Sequence, residues 1–449
     1  DRAMTNLLRK FFWNGFTLWQ ARREYRLPFL SLEEIRELQN RRVRAIVAHA
    51  YATVPFYHEV MDNAGLRACD FRSADDLAQL PMVTGDDLAA TPERFLSRRH
   101  SGNRSLSIYS SGTSGRAKHI CYNPAALFLT MAYGFRQRAV LAHFLGSTLG
   151  YREMIVVPPR SVCFQLRDFY EARSWVPRRF DFKRGALFPA GSLEDNIAAI
   201  NSFKPDLIHG IGSYIGVLFR KAHERRLPVH RPKLILYGGD RMADFDRDLI
   251  ETGVGVPVIS GYQATEALRI AYQCERREGF HINIDHTAVR VLDEGGNPVA
   301  PGEKGEIVVS NLLNRATVLL NYKLGDIVTL GHSACACGRT LPTIERIEGR
   351  RAAIIQLPEG GIMHEGILLE NLQSIEGVVQ VQVIQETLQS FCLHIVCQPG
   401  VDWRATRLRL EGTVRAVLGS AVRQRIMRVD SIPREPGGKV RTFISRLLN

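Results

Sequence analysis

Lys233-Leu234-Ile235-Leu236-Tyr237-Gly238-Gly239-Asp240 is a short apolar run that stops on two glycines and an aspartate. A run of this length, with no polar residue on either alternation, suits a strand buried on both faces. Upstream, Asp206-Leu207-Ile208-His209-Gly210 repeats the plan, and Met154-Ile155-Val156-Val157-Pro158 is another such strand. Downstream, Val256-Pro257-Val258-Ile259-Ser260-Gly261-Tyr262 repeats it again. Between these runs, Leu193 to Phe203 and Tyr214 to Glu224 read as helices. Strands alternating with helices predict an α/β fold with a mostly parallel sheet. Ligands of such sheets bind beyond the carboxyl ends of the strands, where Gly238, Gly239 and Gly261 fall.

The flanks have other patterns. Ser31-Leu32-Glu33-Glu34 is a capping-box signature, and Leu38, Val43, Ile46 and Val47 follow near helical spacing, so residues 31–65 read as helical with a break at Val54-Pro55. Val289 to Leu292 and Gly305 to Ser310 read as strands of a small antiparallel unit, separated by Glu294-Gly295-Gly296-Asn297-Pro298. Val378 to Ile384 and Phe391 to Val396 read as strands and Trp403 to Leu418 as a helix, enough for a separate α+β unit. At 449 residues, two or more domains are expected.

Composition bounds the function. Hydrophobic content of 45% and charged content of 23% are ordinary for a globular protein. No apolar run approaches the roughly 18 residues of a membrane span. The charged start Asn6-Leu7-Leu8-Arg9-Lys10-Phe11-Phe12-Trp13 is not a secretion signal. The net charge of +13 favours anionic ligands. Its Lys and Arg are scattered rather than clustered, which argues against nucleic acid. Eight cysteines in a chain of this length read as thiols or metal ligands, and the expected compartment is the cytoplasm.

Tyr109-Ser110-Ser111-Gly112-Thr113-Ser114-Gly115-Arg116-Ala117-Lys118 carries the first chemistry. Glycines let backbone N–H groups approach a ligand, hydroxyls add donors, and a lysine adds a point charge, a set suited to polyphosphate. The spacing is not that of the G-x-x-x-x-G-K-[ST] loop. It resembles the phosphate loop of the adenylate-forming enzymes: acyl-CoA synthetases, peptide-synthetase adenylation domains and luciferases. The order of Leu38 to Leu88, with Val54-Pro55-Phe56-Tyr57 and Leu80-Pro81-Met82-Val83-Thr84, resembles their phenylacetate-CoA ligase branch.

Four more stretches carry the resemblance, in family order. Gly261-Tyr262-Gln263-Ala264-Thr265-Glu266 is similar to Y-G-x-T/S-E, with Gln263 in place of the glycine. Tyr322-Lys323-Leu324-Gly325-Asp326 is similar to Y-x-T-G-D, with Leu324 in place of the threonine. Arg346-Ile347-Glu348-Gly349-Arg350 resembles the boundary between large and small domains, but Ala352 stands where a hinge carboxylate is usual. Pro433-Arg434-Glu435-Pro436-Gly437-Gly438-Lys439-Val440-Arg441 resembles the loop that carries the adenylation lysine. The resemblance implies a large, multi-subdomain region, 1–349, and a mobile C-terminal lid, 350–449. It implies that Ser110, Ser111, Gly112, Thr113, Ser114, Gly115 and Lys118 hold the phosphates, with Gly239, Asp240, Tyr262, Asp326 and Arg350 around the rest of ATP. Thr265, Glu266 and Lys439 become the catalytic residues, and Glu266 a ligand for Mg2+, whose preference is for hard oxygen donors. The acyl pocket is placed at His209, Gly210, Tyr214, Gly238, Ser260 and Gly261.

Cys274, His281, Cys335 and Cys337 form a further pattern, with His332 as a rival to His281. Thiolate and imidazole suit tetrahedral Zn2+, and the branch carries a similar C…H…C-x-C-G-R arrangement. The implied activity converts a small aromatic carboxylic acid to an acyl-adenylate with release of pyrophosphate, then transfers it to CoA. The altered hinge leaves open an amine or a carrier-protein thiol as acceptor, or a substrate that is not a carboxylate. A homodimer and an inactive binding relative also stay open.

Overall fold

The computed structural model describes the chain apart from residues 1, 101, 103–104, 111–117, 160, 176–182, 190–191, 333–334, 349–353, 359–360, 434–440 and 448–449. Its centre is an eleven-stranded sheet. One half is parallel, in the order Lys183–Leu187, Arg152–Val156, Leu207–Ile211, Leu234–Gly238, Val258–Ala264. Alternate residues of Leu234–Gly238 enter different cores. Leu234 and Leu236 pack with Tyr133, Leu141 and Ile259, whereas Ile235 and Tyr237 pack with Ile208, Ile215 and Val258. Both faces are buried, which is why the segment reads as continuous apolar sequence rather than as an alternation.

Val258–Ala264 is the strand on which the sheet changes character. One edge pairs in parallel with Leu234–Gly238 and the other pairs antiparallel with Leu268–Tyr272. The second pairing follows from the short return through Thr265 and Glu266, which allows only a hairpin. Antiparallel pairing then continues through Phe280–Ile282, Thr343–Ile347, Tyr322–Leu330, Lys304–Asn311 and Thr287–Leu292. The α/β class stands as expected. The antiparallel part is larger than the small unit expected from Val289 to Leu292 and Gly305 to Ser310, and it is continuous with the parallel part.

Gly210 is required where it stands. A Cβ there would lie 2.1 Å from the carbonyl oxygen of Val156, so only glycine lets the two parallel strands approach. The helix Gly212–Glu224 starts immediately after the strand Leu207–Ile211.

The expected N-terminal helix is Leu32–Thr53, closed by the Ser31–Glu34 box, with Leu38, Val43, Ile46 and Val47 buried. Pro55 opens the next helix, Pro55–Asn63. An earlier helix, Arg2–Glu24, has no counterpart in the sequence reading. At the other end, Arg423–Arg428, Ser390–Cys397, Val378–Gln385 and Phe443–Ser445 form a four-stranded sheet. The helices Glu365–Gln373 and Trp403–Leu418 complete its own core around Leu368, Val381, Phe391, Leu410 and Val414.

Candidate active site

Lys118, Glu266 and Tyr322 meet, although 148 and 56 residues separate Glu266 from the other two. Lys118 opens the strand Lys118–Tyr122, Glu266 sits in the turn after Val258–Ala264, and Tyr322 opens Tyr322–Leu330. The Lys118 ammonium donates to Glu266 Oε1 at 2.6 Å and to the Tyr322 hydroxyl at 3.0 Å. The Tyr322 hydroxyl donates to the same Glu266 oxygen at 3.1 Å. All three side chains are buried. Burial pushes the Glu266 carboxyl up, but the Lys118 charge and the hydrogen bonds of Lys118 and Tyr322 hold it below its ordinary value. The result is an ionised carboxylate and an ammonium kept together in a dry setting.

A second segment closes over this group. Val83 exchanges backbone hydrogen bonds with Asn321 and Lys323, at 3.0 and 2.8 Å. That bridge places Gly85, first residue of the helix Gly85–Ala90, against the lysine. A Cβ on Gly85 would sit 3.1 Å from Lys118 Cε and 3.3 Å from the Tyr322 hydroxyl. The Leu80-Pro81-Met82-Val83-Thr84 step thus acquires a physical role as a wall of the site. Neither Tyr322 nor Gly85 was assigned a role in the sequence reading. Tyr322 stood inside a motif read for its aspartate, and nothing local marks Gly85.

Asp326 lies farther along the same strand and accepts from the Tyr262 hydroxyl at 2.8 Å. This joins the two residues expected around adenine and ribose. Thr265 offers its carbonyl to the Tyr122 hydroxyl at 2.7 Å, and Asn311 donates to the Glu266 carbonyl at 3.3 Å, so the turn bearing both residues is pinned from two strands. Asp240 accepts from the Ser213 backbone N–H at 3.1 Å and from its hydroxyl, tying the end of one strand to the start of the helix Gly212–Glu224. Gly239 takes φ +83°, a conformation that favours glycine.

The pocket candidates divide. Gly238 and Gly261 face each other, with the Gly261 carbonyl 3.0 Å from where a Gly238 Cβ would be. The Gln263 amide nitrogen comes within 3.4 Å of a Gly261 Cβ position, so the side chain that replaces the family glycine lies over this floor. Ser260 is buried, its N–H donating to Gln273 at 2.8 Å. His209 is half-buried and its Nδ1 lies 3.3 Å from Glu153 Oε1. Burial pushes the Glu153 carboxyl up, but the His209 contact and Arg184 bring it down to about 2. Tyr214 is fully buried and its hydroxyl accepts from Asn196 at 2.8 Å, which makes it a core residue between two helices. Ser111 to Gly115, Arg350 and Lys439 lie outside the described residues, as does the Ser110 side chain.

Cys274, His281, Cys335 and Cys337 converge, with one donor atom of each within 4.8 Å of all the others. Tyr272 pairs with His281 and His281 with Thr343, which sets the three contributing segments side by side. Cys274 and Cys335 sulfurs are 3.6 Å apart and the Cys337 sulfur is 3.4 Å from His281 Nε2. A tetrahedral zinc with bonds of about 2.3 Å has ligand–ligand edges of about 3.8 Å, so these donors fit one. Burial pushes the Cys337 thiol up, but the Arg339 backbone N–H and guanidinium hold it below its ordinary value. Arg339 is itself fixed by two 2.9 Å bonds to Glu275. His332 is exposed and faces Glu345, so His281 and not His332 joins the cluster.

The AMP-binding enzyme family matches residues 36–314, more than half of the chain. The chain belongs to that family. The C-terminal domain of the CapK family matches residues 355–446. Phenylacetate-coenzyme A ligase of Thermus thermophilus is 25% identical, over 93% of this chain and 98% of that protein. Protein CapK of Staphylococcus aureus is 22% identical, over 92% of this chain and 89% of its own. Among solved structures, 2-hydroxyisobutyryl-CoA ligase in its postadenylation state, with R3-HIB-AMP, superposes with a TM-score of 0.62. It is 17% identical and covers 94% of this chain and 91% of its own, so this likeness speaks to the fold alone.

Proposed function

We propose that this member of the AMP-binding enzymes is an AMP-forming ligase that activates a small aromatic carboxylic acid with ATP and transfers the acyl group to CoA. The observation that carries the reading is the buried Lys118–Glu266–Tyr322 group beside the Tyr262–Asp326 pair. It supplies a cation for phosphate, a hard carboxylate for a metal, an aromatic face for a base and an acceptor for a diol. Its place at the turn following a sheet strand is where such sheets bind ligands. The phenylacetate-coenzyme A ligase of Thermus thermophilus, matched over nearly its whole length, supports the choice of acid and acceptor.

In the proposed reaction, a carboxylate oxygen of the acid forms a bond to the α-phosphorus. The bond from that phosphorus to the bridging oxygen of pyrophosphate breaks, and pyrophosphate leaves with the electron pair. The CoA thiolate then adds to the acyl carbonyl, and AMP leaves. Lys118 and the loop before it hold the phosphates, and Asp326 accepts from the ribose hydroxyls. Lys439 neutralises charge between carboxylate and α-phosphate. Glu266 would hold Mg2+, which neutralises the phosphates. The Lys118–Glu266 pair keeps both side chains in register until each receives its own counterion. The boundary near 349–350 would let the C-terminal unit move between the two half-reactions. The four-donor cluster would hold a structural Zn2+. In the test, acid-dependent pyrophosphate release disappears in Lys439→Ala; full activity of that variant refutes the reading.

A second reading keeps the adenylation and changes the acceptor to an amine or a carrier-protein thiol. The observation favouring it is Ala352 in place of a hinge carboxylate. Product masses after incubation with ATP plus CoA, against ATP plus amines, separate the two.

A further inference from the structure

The helix Arg2–Glu24 is turned inside out. Projected at about 3.6 residues per turn, Leu7, Leu8, Phe11, Phe12, Leu18 and Trp19 share one side. That side faces solvent: Phe12 is 61% exposed and Trp19 64%. The opposite side, buried against the helix Pro124–Leu145, carries Thr17, Gln20, Ala21 and Glu24. Contacts fix that orientation. Glu24 pairs with the buried Arg136 at 2.6 Å, and the Trp13 ring stacks on Phe128 at 4.3 Å. The apolar stripe therefore cannot roll inward without unpairing a buried charge.

We propose that this face lies in the headgroup region of a membrane rich in anionic lipid, making the protein a peripheral membrane enzyme. Three observations select that occupant. The exposed charges of the helix among the described residues, Arg9, Arg22 and Arg23, are all basic, as is the half-buried Lys10, and its single acid, Glu24, is buried. Phe and Trp next to basic residues suit an interface that is apolar below and anionic above. A second copy of this helix would bring the same basic residues and, among its described residues, no exposed acid to pair them. The helix does not span: among the described residues, no helix is long and apolar enough to cross a membrane. The chain's net charge of +13 adds attraction of the same sign.

The test is co-sedimentation of the full chain with vesicles of phosphatidylcholine alone or mixed with phosphatidylglycerol. The expected result is binding to the mixed vesicles only, weakened by salt. The double variant Phe12→Glu, Trp19→Glu binds about tenfold or more weakly, and Arg22→Glu, Arg23→Glu falls by a similar factor. All of these residues are exposed, so thermal melting should be unchanged, and that control is run alongside. Absence of binding to the mixed vesicles overturns the proposal, as does binding that neither variant weakens. A concentration-dependent dimer broken by Phe12→Glu, Trp19→Glu, without vesicle binding, also overturns it and assigns the face to a second copy.

Discussion

Replacing Lys118 by methionine leaves the Glu266 carboxylate buried, with no cation against it among the described residues and with only the Tyr322 hydroxyl and its own backbone N–H as donors. The ammonium and carboxylate are 2.6 Å apart, with 6% and 8% of their side chains exposed. At an effective dielectric constant of about 20 their direct attraction is about 6 kcal/mol. Desolvating both charges offsets much of this in the intact protein. Removing one partner forfeits the attraction but keeps the other desolvation, so the loss of stability should be about 3–5 kcal/mol. Glu266→Gln leaves Lys118 unpaired in the same way and should cost a similar amount. The double variant removes both charges, and its loss should fall short of the sum by about 2 kcal/mol or more. Urea unfolding of the four proteins, followed by fluorescence, gives the coupling energy. A coupling below about 0.5 kcal/mol, the scatter for independent sites, would refute the claim that the two groups hold each other. All three variants should lose pyrophosphate release, which separates the pair's role in the site from its role in the fold.

Asp326→Asn should raise the KM for ATP about tenfold or more with little change in melting, because it loses charged hydrogen bonds at a half-exposed position; an unchanged KM would take the ribose away from this strand. Metal analysis of the purified protein should find one zinc per chain, and Cys335→Ser with Cys337→Ser should lose it and melt several degrees lower; a metal-free protein with unchanged melting contradicts the zinc assignment. His286 is buried, and burial brings its imidazole down to about 3. Its folded value lies below the unfolded one of about 6.5, so its contribution is complete above that pH and is lost as pH falls toward 3. Stability should drop by about 2 kcal/mol between roughly pH 6.5 and pH 5 on this account, and His286→Asn should flatten that slope; an identical slope in the variant would place the titration elsewhere.

The parallel half of the fold was readable because a strand buried on both faces has no alternation to obscure it. Leu234–Gly238 is apolar throughout for the same reason that Leu234 and Ile235 belong to different cores. Lys118, Glu266 and Asp326 could be proposed from the sequence because each closes a short stretch whose residue order resembles a motif of the adenylate-forming enzymes. Tyr322 and Gly85 were not, since their role depends on a backbone bridge at Val83 that joins segments about 240 residues apart. Tyr214 was misplaced for a related reason. It follows a strand end closely, but the helix that begins at Gly212 carries it back into the core. The helix Arg2–Glu24 shows the opposite failure: its apolar side is real but faces outward, so the usual inference from amphipathicity to core does not hold there.

The most direct test of the central claim is acid-dependent exchange of labelled pyrophosphate into ATP, measured over a panel of aromatic and aliphatic carboxylic acids. At least one aromatic acid should support exchange, and Lys439→Ala should abolish it while ATP still binds. No exchange with any acid, or exchange at the full rate in Lys439→Ala, would contradict the account.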